Sequence, residues 1–183
     1  MYKLCKTEQS ALRQRELETG LLDAMLNKSY EDISISDLCD NLQIPRKSFY
    51  RYFSSKDGAF HALLDHTLQE CNRHLNPYDD PIVTFKAYFQ FWLNQKPLLD
   101  ALEKSGLSGK LVERTVNIAM IDQGIVGRML RTFPEIDQQY VVLFIISGLM
   151  SIVIQWHHSG CVQTPQQMAV TAVRLLTKPL FST

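Results

Sequence analysis

The stretch from Ile33 to Asp57 restricts what this chain can fold into more than any other. It opens with a helix-start signal. Ser34 can cap a helix, with Asp37 three residues on as the reciprocal acid, while Ile33 and Leu38 hold the N′ and N4 positions of a hydrophobic staple. That helix runs to about Leu42. Gln43-Ile44-Pro45 then makes a tight turn, and proline suits the first turn of a new helix, where its missing N–H would be unpaired anyway. The second helix carries Arg46 to Phe53. Ser54-Ser55-Lys56-Asp57 repeats the Ser-x-x-Asp cap and starts a third. Two short helices joined by a few residues, with apolar positions at Leu38, Leu42, Ile44, Phe49 and Phe53, describe a helix-turn-helix.

Charge agrees with that motif only locally. The chain has 183 residues with 19 Lys+Arg against 19 Asp+Glu, so it is no bulk polycation, and nucleic-acid binding must come from a patch. Residues 1–75 hold 10 basic and 11 acidic side chains, whereas residues 46–56 hold Arg46, Lys47, Arg51 and Lys56 and no acid. Arginine can grip a guanine edge through two hydrogen bonds, and Lys, Ser and Tyr can hold phosphates. A solvated basic helix face gives the same pattern.

The apolar spacing is helical nearly everywhere and no strand alternation is convincing, so the chain is expected to be all-α. Helices are expected at about 8–27, 34–42, 45–53 and 55–75. Asn76-Pro77-Tyr78-Asp79-Asp80-Pro81 then breaks the chain, and longer, more aromatic helices follow at about 82–95, 97–105, 108–131, 135–158 and 165–177. This divides the chain into a domain 1–75 and a domain 76–183. Tyr140 to Trp156 is uncharged but contains Ser147, Gly148, Ser151 and Gln155, and reads as a helix buried all round rather than as a membrane span. No export signal is evident, and Cys5, Cys39, Cys71 and Cys161 read as reduced, mostly buried thiols of a cytoplasmic protein. Neither a catalytic motif nor a metal-ligand spacing stands out, so no enzyme, cofactor or metal site is expected.

At Lys47-Ser48-Phe49-Tyr50-Arg51-Tyr52-Phe53-Ser54-Ser55-Lys56-Asp57 the sequence resembles the recognition-helix signature of the TetR (tetracycline-repressor-like) transcriptional regulators, and Ser34-Ile35-Ser36-Asp37-Leu38-Cys39 matches the start of that family's second helix. The tight resemblance covers about residues 10–68. The departures are Leu42-Gln43 where the family's turn usually carries Ala-Gly, Pro45 for the usual Ser, and Phe49 for a frequent aliphatic. The resemblance implies that Arg46, Lys47 and Ser48 face base edges. It implies that Tyr50, Tyr52 and Lys56 hold phosphates, and that Ser34 and Ser36 touch the opposite backbone. It also implies a homodimer on a palindromic double-stranded operator, most simply a repressor, modulated by an unidentified small-molecule effector. The alternative from the residues is a protein-interaction module on the same fold with weak or no DNA binding.

In the second domain Phe85, Tyr88, Phe89, Trp92, Met120 and Phe144 are the residues expected to line an apolar effector pocket, though each also suits a plain core. Ser147, Gly148, Ser151 and Gln155 on one helix, with Ala169, Ala172 and Val173 on the next, offer surfaces for a four-helix dimer interface; burial of both helices within one monomer is the competing reading.

Overall fold

A computed structural model describes residues 2–76, 80–121 and 133–177. Nine α-helices are described: α1 Glu8–Asn27, α2 Ile35–Asn41, α3 Arg46–Tyr52, α4 Lys56–His74, α5 Pro81–Asn94, α6 Lys96–Lys104, α7 Ser108–Ile121, α8 Glu135–His158 and α9 Pro165–Thr177. A short 3-10 helix, Tyr30–Asp32, precedes α2. Among the described residues the only β pairing is an isolated antiparallel bridge between Tyr2 and Phe53. The expected all-α class is what the chain adopts. The far end of the expected 108–131 helix and residues 77–79 of the linker lie outside the described residues.

The chain forms two compact units that do not follow chain order. One comprises residues 2–67 and Pro97–Leu107; the other comprises Leu68–Lys96 and residues 108–177. The boundary therefore falls inside α4 rather than at the Asn76–Pro81 break, and nearly all of α6 packs with the N-terminal residues. Two polar contacts within the first unit show why. Lys104 Nζ donates to the Leu26 carbonyl at 2.9 Å, and the Tyr30 N–H donates to Ser105 Oγ at 3.1 Å.

The first unit closes over Leu17, Leu21 and Met25 of α1, Leu38 of α2, Phe49 and Phe53 of α3 and its flank, Leu64 of α4, and Leu98 and Leu102 of α6, all at most 1% exposed. In the second unit α5 packs along α9, and α7 along α8. Phe85, Phe89 and Trp92 bury one face of α5, while Met168, Ala169 and Ala172 bury one face of α9. Ala169 and Ala172 are therefore core positions, at 0% and 1% exposed, and the dimer role read from their spacing is corrected; Val173 is half-buried.

Helix α8 is not buried all round, as its composition suggested. Val142, Ile145, Met150, Val153 and Trp156 face inward, but Ile136 is 77%, Tyr140 62%, Leu143 48% and Phe144 73% exposed. Its 24 residues pass a length-and-hydropathy test for a membrane span, with 28% of the most apolar window buried. All four cysteines are free thiols; Cys39 and Cys71 are buried, and burial pushes the Cys71 thiol up to about 12.

Candidate nucleic-acid interface

Helix α2 starts as its sequence dictates. Ser34 Oγ accepts from the Asp37 N–H at 3.0 Å, and Asp37 Oδ2 accepts from the Ser34 N–H at 3.2 Å. Ile33 and Leu38, the staple pair, are both buried. The helix ends in a Schellman motif: the Gln43 N–H donates to the Asp40 carbonyl at 3.1 Å and the Ile44 N–H to the Cys39 carbonyl at 2.9 Å. That geometry needs a left-handed residue, and Gln43 supplies it at φ 53°. Helices α6 and α8 end the same way with Gly106 and Gly160. Gln43 thus does with a side chain what glycine does elsewhere in this chain, at a cost of about 1 kcal/mol. The neighbouring Leu42 is accommodated by Gly20 of α1, where an added Cβ would lie 2.7 Å from Leu42 Cδ1.

Pro45 stands at the N-cap of α3, so the helix begins at Arg46, one residue later than expected. The side chains of α3 sort by helical phase. Phe49 is fully buried, as is Phe53 just beyond the helix; Arg46, Lys47, Tyr50 and Arg51 are exposed and share the opposite face. No acidic side chain pairs with Arg46, Lys47 or Arg51 among the described residues. Ser48 and Tyr52 are half-buried and flank this face. Arg51 was counted in the basic patch but not among the reading residues; its signal was its position four residues after Lys47.

At the start of α2 the two serines expected to touch the opposite backbone sit beside an acid. Ser34 is committed to its cap, Ser36 is half-buried, and Asp37 places a carboxylate between them. The two Ser34 hydrogen bonds, followed by Lys28 at 3.9 Å, hold that carboxyl below its ordinary range.

Lys56 has a different occupation from the phosphate contact expected of it. Its Nζ donates to the carbonyls of Tyr30 at 2.6 Å and Ile33 at 2.8 Å, approaches that of Glu31 at 3.4 Å, and lies 4.3 Å from the centroid of the Tyr30 ring. An ammonium has three protons, and all three are directed at backbone oxygens. The side chain therefore ties the start of α4 to the 3-10 turn. At the helix start Ser55 Oγ accepts from the Gly58 N–H at 3.1 Å, and Asp57 accepts from the Tyr30 hydroxyl at 2.6 Å. Burial, then Asp57, holds that hydroxyl well above the usual phenol range. Lys56→Met leaves the three carbonyls short of a donor and is expected to lower stability by about 2 kcal/mol, read by urea denaturation followed through far-UV circular dichroism. Full stability with a reduced salt slope of DNA binding would instead return Lys56 to the phosphate contacts.

Of the residues expected to line a pocket, Phe85, Phe89 and Trp92 are core, and Phe89 meets Trp156 edge-to-face with centroids 5.6 Å apart. Tyr88 packs edge-on to both Phe89 and Trp92. Burial raises its hydroxyl well above the phenol range; Cys71 adds to this and the Trp92 N–H opposes it, while that N–H has no hydrogen bond of good geometry. Met120 and Phe144, at 46% and 73% exposed, do not join this cluster and are corrected to surface positions.

Comparison with known proteins bears on the fold and on the C-terminal region. Residues 111–178 match a family described as a transcriptional regulator C-terminal region. No curated protein matches the chain. Among solved structures, the dihydroxyacetone kinase operon activator DhaS superposes with a TM-score of 0.64 at 13% identity, covering 91% of this chain and 94% of its own. A TetR-family transcriptional regulator from Streptomyces coelicolor gives 0.61 at 20% identity, covering 90% and 78%. The fatty acid degradation regulator FadR from Bacillus halodurans gives 0.64 at 13% identity, covering 98% and 100%. The chain thus shares its fold with these regulators along nine-tenths or more of its length, and its C-terminal region matches a transcriptional-regulator family.

Proposed function

We propose that the chain is a cytoplasmic homodimer that binds a palindromic double-stranded operator through α3, represses the adjacent gene, and is released by a small-molecule effector. The observation that carries this reading is the face of Arg46, Lys47, Tyr50 and Arg51, exposed and without acidic partners, on a helix whose other side is anchored by buried Phe49. A dimer gives the face its use by spacing two copies about 34–36 Å apart on one side of the duplex. Repression follows where the operator overlaps a promoter. One protein of similar fold is described as an operon activator, so operator position decides the sign.

The release step rests on connectivity. Helix α4 belongs to both compact units, and α6 enters the first unit from Lys96 and leaves it at Ser108, both residues of the second. An effector among the α5 aromatics, where the Trp92 N–H lacks a good acceptor, would favour a different setting of α4 and with it of α3. An effector with no difference in affinity between the two settings would release nothing.

The test is selection of duplexes from a random-sequence pool by the purified protein, followed by fluorescence anisotropy. A two-half-site sequence is expected to emerge. Arg46→Ala is expected to weaken binding to it by about 1–3 kcal/mol and to relax preference at one position of each half-site. A pool that never enriches moves the chain to the interaction-module reading.

A further inference from the structure

We propose that residues 2–7 form a second phosphate-binding element, a basic groove beside α3 that grips the DNA backbone next to the bases read by Arg46 and Lys47. The proposal rests on the operator-binding reading above and adds the groove as a separate site.

The segment is held in place. Tyr2 bridges to Phe53, and the Lys3 N–H donates to the Tyr52 carbonyl at 3.0 Å. The Tyr2 hydroxyl donates to buried Asp65 at 2.8 Å. Gln14 of α1, only 3% exposed, holds it at two points: its Nε2 donates to the Lys3 carbonyl at 3.2 Å and its Oε1 accepts from Cys5 Sγ at 3.0 Å. The segment is thus tied to the first unit by a buried amide. The result is a groove of about 510 Å³ between the segment, the start of α1 and the end of α3, lined by Lys3, Lys6, Thr7, Arg13, Arg51 and Tyr52.

Among the described residues no acidic one lines this groove. Arg13 pairs with Glu16 at 2.5 Å, while Lys3, Lys6 and Arg51 have no acidic partner among the described residues. Bringing unpaired cations together is unfavourable in the free protein, and an anion offsets it. The groove is also continuous with the reading face, because Arg51 belongs to both. From Arg46 to Arg51 the helix rises only about 7.5 Å, and the major groove it would enter is about 12 Å wide with phosphates along each wall. A recognition helix seated on bases therefore brings its C-terminal end, and the cations gathered there, to a phosphate wall. The shared chemistry is a phosphate oxyanion; the continuity with α3 selects the DNA backbone over a free anion.

The test compares Lys3→Gln/Lys6→Gln with the wild type on a duplex selected from a random pool and on an unselected duplex, across a salt series. Lys86→Gln/Lys96→Gln, an equal charge change on exposed lysines of the other unit, is the control. Each engaged arm is expected to contribute about 1.8 to the salt slope and, near 0.15 M salt, about 30-fold in affinity. Both duplexes should weaken alike, so the ratio between them holds, while the control stays at wild type. A wild-type slope in Lys3→Gln/Lys6→Gln, with selected DNA still bound tightly by the wild type, overturns the groove and leaves the operator reading standing. A wild type that selects no duplex overturns both. Inorganic pyrophosphate is titrated in parallel: micromolar saturation of Lys3 and Lys6 resonances, undiminished by selected duplex, would make the groove a free-anion site and overturn the proposal.

Discussion

His66→Leu is expected to destabilise the N-terminal unit by about 3 kcal/mol, because it takes the nearest hydrogen-bond partner from a buried carboxylate. Glu18 of α1 is 1% exposed, and its two carboxylate oxygens each lie 2.9 Å from His66 Nδ1 of α4. The other contact at this carboxylate is Arg15, at 3.3 Å and with its side chain 39% exposed. Leucine restores apolar volume but leaves the carboxylate buried with one long, partly solvated partner. Glu18→Leu/His66→Leu removes both halves and should recover most of the loss, because two well-packed leucines need no polar partner. Both tryptophans lie in the second unit, so hydrogen exchange at α1 amides is the measurement that isolates the first. Protection in His66→Leu within about 0.5 kcal/mol of wild type would mean that the pair holds nothing together.

The same residues mark how far the sequence could be read. Local signals carried far: the Ser34–Asp37 box, the Ile33–Leu38 staple and the 3.6-residue stripes fixed helix limits to within a residue or two, because each depends on neighbours in sequence. The Leu42-Gln43 departure was legible as a left-handed demand, and Gln43 meets it at φ 53°. What failed was whatever depends on distant segments meeting. Lys56 read as a free cation until residues 30–33 were placed around its ammonium. The arm at residues 2–7 carries no motif at all; its role arises only when Gln14 and Phe53 hold it beside Arg51. Ala169 and Ala172 read as interface because small residues suit any close approach, and α5 of the same chain is what approaches. The spacing of α8 gave no phase because apolar residues recur on every side of it, and Phe144 was read into a pocket although it lies 73% exposed.

In the homodimer proposed above, Phe144→Arg is expected to leave a monomer and thereby abolish tight operator binding. With its phase known, α8 has one continuous unburied stripe. Ile136, Tyr140, Leu143 and Phe144 form its apolar half; Gly148, Ser151 and Gln155 continue it, all exposed, with Ser147 half-buried between them. An added Cβ on Gly148 would meet nothing within 4 Å, so the backbone there is open to another helix. Contiguous exposed apolar surface of this kind is uncommon on a monomer and costs free energy until it is covered. An arginine at the centre of a self-complementary patch is doubled by symmetry: two buried guanidiniums face each other without partners. Sedimentation velocity should show the mass halve while circular dichroism stays unchanged, since Phe144 is 73% exposed. The effect on DNA follows by arithmetic. A monomer contacts one half-site, so a nanomolar dimer should fall to the micromolar range or weaker, a loss of at least about 4 kcal/mol. Gly148→Leu provides the independent check: it adds apolar area, so a surface that simply avoids water should associate more, whereas a close helix–helix crossing should come apart. A Phe144→Arg protein that remains dimeric and keeps its operator affinity would move the interface off α8.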